Sequence, residues 1–377
     1  MKPFRIILSL ALVLLCNISS YAQKRPVVHS IGANVRPSYV MPTHGFYNGF
    51  NSMEKALRFS ESAHINYAFE LSQESYQGIG LGLQSFNAHS LIGTPVSVYL
   101  FQGAPVVALN DRLTLDYEWN FGLSAGWKGD QDLMGSSCNV YINVGLFARW
   151  KMSQAWDLIL GPEYTHYSNG DTSFPNSGAN TINLRIGLRG YINRPDDYNY
   201  DPKIFTFEKS DLSLAQHLTY DITAFGAWRS DRMLVDGRLN IIDKAFPIAG
   251  VQFNPLYHFN KYLSAGASLD LIYDRSANLI ASLDENKQLS YSYPSFLRQC
   301  AAGLSVRGEL KMPVFAVNIG AGYNFTGAGS DLRGLYGVFA LKTFLTDSLF
   351  LNVGYRLGSV LYAHNLMFGL GWRFREK

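Results

Sequence analysis

Thiols, charges and long apolar runs are all scarce in this chain, and each scarcity removes a class of protein. Three cysteines among 377 residues, Cys16, Cys138 and Cys300, supply neither a disulfide framework nor a zinc-ligand spacing. Charged residues make up only 16% and the formal net charge is +3. No basic block stands out, so nothing points to nucleic acid as a partner. The eight histidines show no metal-ligand spacing. Beyond residue 22 no stretch approaches the roughly 18 apolar residues that a membrane helix needs.

What the chain does have is 24 Phe, 23 Tyr and 34 Gly. It opens with Lys2 and Arg5, continues with a largely apolar run from Ile6 to Cys16, and reaches Ser20-Tyr21-Ala22 before Gln23. Positive charge, a short apolar core and small residues at the −3 and −1 positions describe a secretory signal peptide over residues 1–22. Leu15 is too bulky for a lipoprotein box at Cys16, so Gln23 is the expected mature N-terminus. Its removal takes two positive charges with it. Aromatic and glycine enrichment without helical spans, behind an export signal, is the composition of an outer-membrane β-barrel.

Strand patterning decides between that and a secreted β-sandwich. Lipid-exposed strands must be apolar on one parity and can be polar on the other. Leu113, Leu115, Tyr117, Trp119, Phe121, Leu123, Ala125 and Trp127 alternate with Thr114, Asp116, Glu118, Asn120, Gly122, Ser124, Gly126 and Lys128. Val140, Ile142, Val144, Leu146, Ala148 and Trp150 repeat the rule against Tyr141, Asn143, Gly145, Phe147, Arg149 and Lys151. At about 3.3 Å per residue, twelve residues tilted near 40° rise roughly 30 Å, enough to cross a bilayer. The backbone in lipid needs internal partners, so the sheet must close.

The pattern predicts antiparallel strands near 29–39, 64–72, 78–90, 95–108, 113–128, 139–152, 156–168 and 180–192. A polar break at 193–216 with Pro195, Asp196, Asp197, Asp201 and Pro202 reads as a linker. Strands resume near 217–230, 247–259, 262–275, 300–312, 315–326, 333–345, 349–361 and 365–374, so 217–377 forms a second, related half. About sixteen strands fit one large barrel or two of eight, and one large barrel is preferred because tandem barrels need an extra closure. The inward charges Asp116, Glu118, Arg149, Lys151, Glu163, Arg185 and Arg189 either line water or cross-pair in a filled interior. Tight connections alternate with long ones, which puts Ser168 and the loop after it at the outer-leaflet end.

Along 156–168, His166 and Ser168 share the lipid-facing parity with Leu158, Leu160, Pro162 and Tyr164. Polar groups facing hydrocarbon are costly without partners, and an i, i+2 pair on one strand face brings imidazole and hydroxyl near each other as base and nucleophile. Asn180 has the same parity on the adjoining strand and can accept the imidazole N–H. Glu163 points inward, and Asp171 in the outer loop is placed to assist with charge. The glycine runs at 78–82 and 320–322 lie in strands, not in phosphate-cradling turns.

His166-Tyr167-Ser168-Asn169, followed by Pro175-Asn176-Ser177-Gly178-Ala179-Asn180, resembles the signature of the outer-membrane lipid A 3-O-deacylases, also called acyloxyacyl hydrolases. The resemblance covers residues 23–192 and implies a serine esterase of lipid A with no cofactor. It makes Ser168 the nucleophile, His166 the base, and Asn169 an oxyanion-hole contributor beside Gly170. Where that family has a glutamate, this chain has Asn180. Outer-membrane phospholipase A is similar in its His-x-Ser-Asn-Gly string, matched by His166 through Gly170, and in having asparagine as third member. That kinship alone would imply phospholipid as substrate and calcium. A non-catalytic channel or structural barrel is the reading from another class, and the second half carries no such motif.

Overall fold

The computed structural model describes residues 27–128, 133–202, 213–235, 238–283, 289–312, 315–327, 331–358 and 362–375. The signal peptide expected at 1–22 and residues 203–212 of the expected linker lie outside these.

The first eight strands are β1 (Val28–Val40), β2 (Phe59–Ser72), β3 (Ser75–Ser85), β4 (Gly93–Asn110), β5 (Leu113–Trp127), β6 (Cys138–Lys151), β7 (Trp156–Ser168) and β8 (Ala179–Tyr191). Each pairs antiparallel with the next, and β8 returns to β1 with Ser30 opposite Tyr191 and Val40 opposite Thr181, closing a barrel. The second set closes separately. It comprises β9 (Leu218–Val235), β10 (Arg238–His258), β11 (Leu263–Asp274), β14 (Cys300–Lys311), β15 (Phe315–Asn324), β16 (Gly334–Phe344), β17 (Leu349–Gly358) and β18 (Tyr362–Arg375), with β18 against β9. A hairpin of β12 (Ile280–Leu283) and β13 (Leu289–Ser292) stands in the connection between β11 and β14.

The chain is therefore all-β and antiparallel, with sixteen barrel strands, as the alternation predicts. The preference for one large barrel is overturned: there are two closed barrels of eight strands. The reason lies in the inward charges, which cross-pair instead of lining water. In the first barrel Arg185 bridges Glu118 and Glu163 at 2.6 Å each, Arg36 reaches Glu163 at 3.1 Å, and Arg149 holds Asp116 at 2.8 Å. In the second, Lys342 and Arg373 both bridge Asp221 and Glu309. A buried charge needs a counter-charge and hydrogen bonds nearby, and the narrow interior of an eight-stranded barrel supplies them. Strand lengths differ chiefly in the second barrel, where β10 begins at Arg238, ahead of the expected 247.

Burial follows the two-residue period. β1 and β8 alternate buried and exposed along almost their whole length. Ile31, Val35, Ile65, Leu146, Ile182 and Leu188 are exposed, a continuous apolar wall that only a lipid surround makes stable. No described helix is long and apolar enough to cross a membrane. One polar side chain on that wall, Gln102, is fully buried because Trp119 Nε1 donates to its Oε1 at 2.6 Å and its Nε2 donates to Tyr117 Oη at 3.1 Å.

Residues 193–202 continue from β8 and pack on the first barrel's short-turn end. Arg194 bridges Asp157 at 2.7 Å, Lys151 donates to the Tyr198 carbonyl at 3.1 Å, and the Arg149 guanidinium lies 3.2 Å from the centre of the Tyr200 ring.

Candidate active site

β7 and β8 meet in register with His166 opposite Asn180 and Tyr164 opposite Ile182. Opposed residues in an antiparallel pair share a face, so Tyr164, His166 and Asn180 gather on the outward side. His166 Nδ1 lies 2.7 Å from Asn180 Oδ1. Tyr164 Oη donates to the same oxygen at 2.6 Å, and Asn180 Nδ2 donates to Thr43 Oγ1 at 3.1 Å. With Oδ1 accepting, the His166 proton sits on Nδ1 and Nε2 is left with its lone pair.

The inner faces of the same strands hold this arrangement from behind. Asn143 and Asn183 both donate to Thr165 Oγ1, at 2.8 and 2.6 Å, tying β6, β7 and β8 together one residue before His166. Tyr167 turns inward and is buried among Trp127, Tyr141 and Phe86. Alternation then sends Ser168 back to the His166 side, at the end of β7, where it is 2% exposed. An i, i+2 spacing separates the two Cα atoms by about 7 Å, a span that the two side chains can bridge.

The loop after Ser168 is pinned at several points. Ser177 N donates to the Leu133 carbonyl at 2.9 Å and Gly135 N to that of Pro175 at 2.6 Å. Tyr47 Oη donates to the Gly178 carbonyl at 2.8 Å, and Met41 N to that of Asn180 at 2.9 Å. Gly178 has φ +64°, a left-handed turn that brings the chain past Tyr167 and His166, and a Cβ there would stand 3.2 Å from the Tyr167 carbonyl oxygen and 3.6 Å from His166 Cε1. Gly170 and Asp171 also have positive φ, +65° and +60°.

Of the residues singled out from the sequence, the structure brings His166 and Asn180 into contact and sets Ser168 next on the same face. Asn169 follows Ser168 directly and is 2% exposed. Its backbone N–H donates to Asn176 Oδ1 at 3.0 Å and its Nδ2 to the Pro175 carbonyl at 3.3 Å, so both donors serve the loop in this conformation. Glu163 points into the barrel and pairs with Arg36 and Arg185, as its parity requires. Two partners of Asn180 escaped the sequence reading. Tyr164 was visible as a residue of the same parity two before His166; Thr43, which lies between β1 and β2, gave no signal. Among the described residues no group of three or more His, Cys, Asp or Glu could hold a metal ion. Calcium has no carboxylate cage among them.

Residues 57–189 match the model of the lipid A 3-O-deacylase family, and residues 218–376 match that of the acyloxyacyl hydrolase C-terminal domain. The lipid A 3-O-deacylase match lies on the first barrel, and the protein is an outer-membrane ester hydrolase. No curated protein matches the sequence. Among solved structures, Neisserial surface protein A is 11% identical, with 44% of this chain and 99% of that one covered at a TM-score of 0.32. The outer membrane enzyme PagL is 16% identical, with 42% and 97% covered at 0.29. The siderophore receptor PirA from Pseudomonas aeruginosa is 10% identical, with 93% and 81% covered at 0.27.

Proposed function

We propose that Ser168 is the nucleophile, His166 its base and Asn180 the residue that orients His166, and that the substrate is lipid A of the outer leaflet. Ser168 Oγ attacks an acyl ester carbon while its proton passes to His166 Nε2. Asn169 and Gly170 are the candidate oxyanion donors, Asn169 once its loop bonds are exchanged. The tetrahedral intermediate collapses, the sugar oxygen leaves with the proton from His166, and water releases the fatty acid from the acyl-enzyme by the reverse sequence. The observation that carries this reading is the 2.7 Å contact of His166 Nδ1 with Asn180 Oδ1, because it leaves Nε2 as the basic nitrogen.

The chemistry belongs to 23–192, and 217–377 supplies no His-x-Ser pair. A site on the outer wall suits a substrate that arrives by lateral diffusion in the membrane. The cross-paired charges inside the first barrel weigh against a channel, since they fill the space that water would need. Mass spectrometry of lipid A and phospholipids from cells with and without the protein tests the substrate. Loss of one ester-linked acyl chain from lipid A is the expected result; a change confined to phospholipids would transfer the reading to a phospholipase.

A further inference from the structure

An asparagine as third member has two unlike ends, and only one of them suits a base. With Oδ1 toward His166 the proton stays on Nδ1 and Nε2 can accept. With Nδ2 toward it, Nδ1 must accept and the proton moves to Nε2, where it blocks abstraction from serine. A carboxylate in the same place has two equivalent oxygens and no such ambiguity. Something other than His166 must choose the end of the amide.

We propose that Tyr164 makes this choice as a positioning residue, with Thr43 tethering the far end of the amide. The inference rests on the reading in which His166 is the base. Tyr164 Oη donates to the oxygen that faces His166, at 2.6 Å, and Thr43 Oγ1 accepts from Nδ2 at 3.1 Å. A threonine hydroxyl donates or accepts with similar ease, so Thr43 holds the amide without selecting its sense. A phenol is the better donor than acceptor, so its bond favours the oxygen turned toward it. The strand register makes this possible: Tyr164 and His166 are two residues apart on one face of β7 with Asn180 across from His166, so one carbonyl oxygen receives both.

The competing role for Tyr164, which is 39% exposed on the lipid-facing wall, is that of a belt or headgroup contact. That role would act on substrate binding or assembly, and Tyr164→Phe keeps the ring that serves it. Amide selection acts on turnover and disappears when both ends of the third residue are oxygens.

The experiment uses the full-length protein refolded in detergent micelles, with purified lipid A as substrate and released fatty acid as readout, so that kcat and KM separate. Tyr164→Phe is expected to lower kcat about 3- to 10-fold with KM little changed, the scale of one hydrogen bond. In an Asn180→Asp background the same substitution should change kcat by less than about twofold. Thr43→Val should cost less than Tyr164→Phe, and Thr43→Ser should restore it. Equal losses in both backgrounds, an effect confined to KM, or an inactive Asn180→Asp enzyme would each overturn the proposal. Ser168→Ala run alongside separates the two levels. If it is dead while Tyr164→Phe turns over normally, only the positioning role falls; if it retains turnover, the triad reading falls and this inference with it.

Discussion

Asn180→Ala removes one amide, the acceptor for His166 and Tyr164 and the donor to Thr43, so its effect can be worked out from the contacts. The bond it breaks, His166 Nδ1 to Asn180 Oδ1 at 2.7 Å, is a neutral pair in the resting enzyme and a bond to an imidazolium at the transition state. A hydrogen bond to a charged group contributes about 1.5–3 kcal/mol, and each 1.4 kcal/mol or so is tenfold in rate. Turnover should fall about 10- to 100-fold, less than on loss of Ser168, whose removal deletes the nucleophile. Stability should hardly change, because Asn180 is half-buried at a strand end and its other partners, Tyr164 and Thr43, can turn to headgroups or water. Asn180→Asp keeps an acceptor and adds a charge that favours the imidazolium, so it should retain or raise turnover at neutral pH. The assay is release of fatty acid from lipid A by refolded protein, with heat-modifiable migration in detergent gels as the control for assembly. Wild-type turnover in Asn180→Ala would refute the assignment and send the third role to Asp171 or to no residue.

Ser168→Ala and His166→Ala should each abolish acyl release by orders of magnitude while the barrel still assembles; full hydrolysis in both would end the triad reading. Arg185→Met removes the shared partner of Glu118 and Glu163 and should destabilise the protein by about 3–5 kcal/mol, less whatever Arg36 and Arg189 still supply to those carboxylates, and an unchanged denaturation midpoint in micelles would contradict the pairing. Gly178→Ala puts a side chain on a left-handed backbone at a cost of roughly 1–2 kcal/mol, so turnover should drop with little change in barrel stability; a fully active variant would show that the loop tolerates displacement. Gln102→Leu should do the opposite, leaving turnover intact while orphaning Trp119 Nε1 at a cost of about 1–3 kcal/mol, and a loss of activity without loss of stability would count against the separation of the two clusters.

The barrel strands were legible because a lipid surround leaves the period-two rule few exceptions: 113–127 and 140–151 alternate in the sequence and form β5 and β6 in the structure. That the strands close was legible, but whether they close as one barrel or two was not. Whether Arg185 sees Glu118 and Glu163 or water depends on barrel radius, which pairing across the last strand sets, and the alternation is the same for eight strands or sixteen. At the site, parity placed His166 and Asn180 on one face, and the strand register then put them opposite each other. Parity could not say that Tyr164 would share Asn180's oxygen, because that depends on rotamers, nor that Thr43 would arrive from the loop between β1 and β2. It also could not see that the donors of Asn169 are engaged by Asn176 and Pro175.

Comparing two of the polar clusters on the lipid-facing wall of the first barrel brings out what separates a candidate site from a satisfied surface. Gln102, Tyr117 and Trp119 satisfy one another and offer no group that can take up or release a proton near neutral pH. Tyr164, His166, Asn180 and Thr43 satisfy one another in the same way, so hydrogen bonding alone does not separate the two. The difference is the imidazole, whose second nitrogen is left over when the first is committed, beside a serine on the same strand face. A neutral third member, as proposed for Asn180, suits the location. A carboxylate at position 180 would stabilise the imidazolium more strongly, and it would also place a charge at the edge of an apolar wall formed by Leu160, Ile182 and Leu184. An amide avoids that desolvation and gives up part of the electrostatic stabilisation, and its two unlike ends then create the need for a neighbour that holds the oxygen toward the histidine.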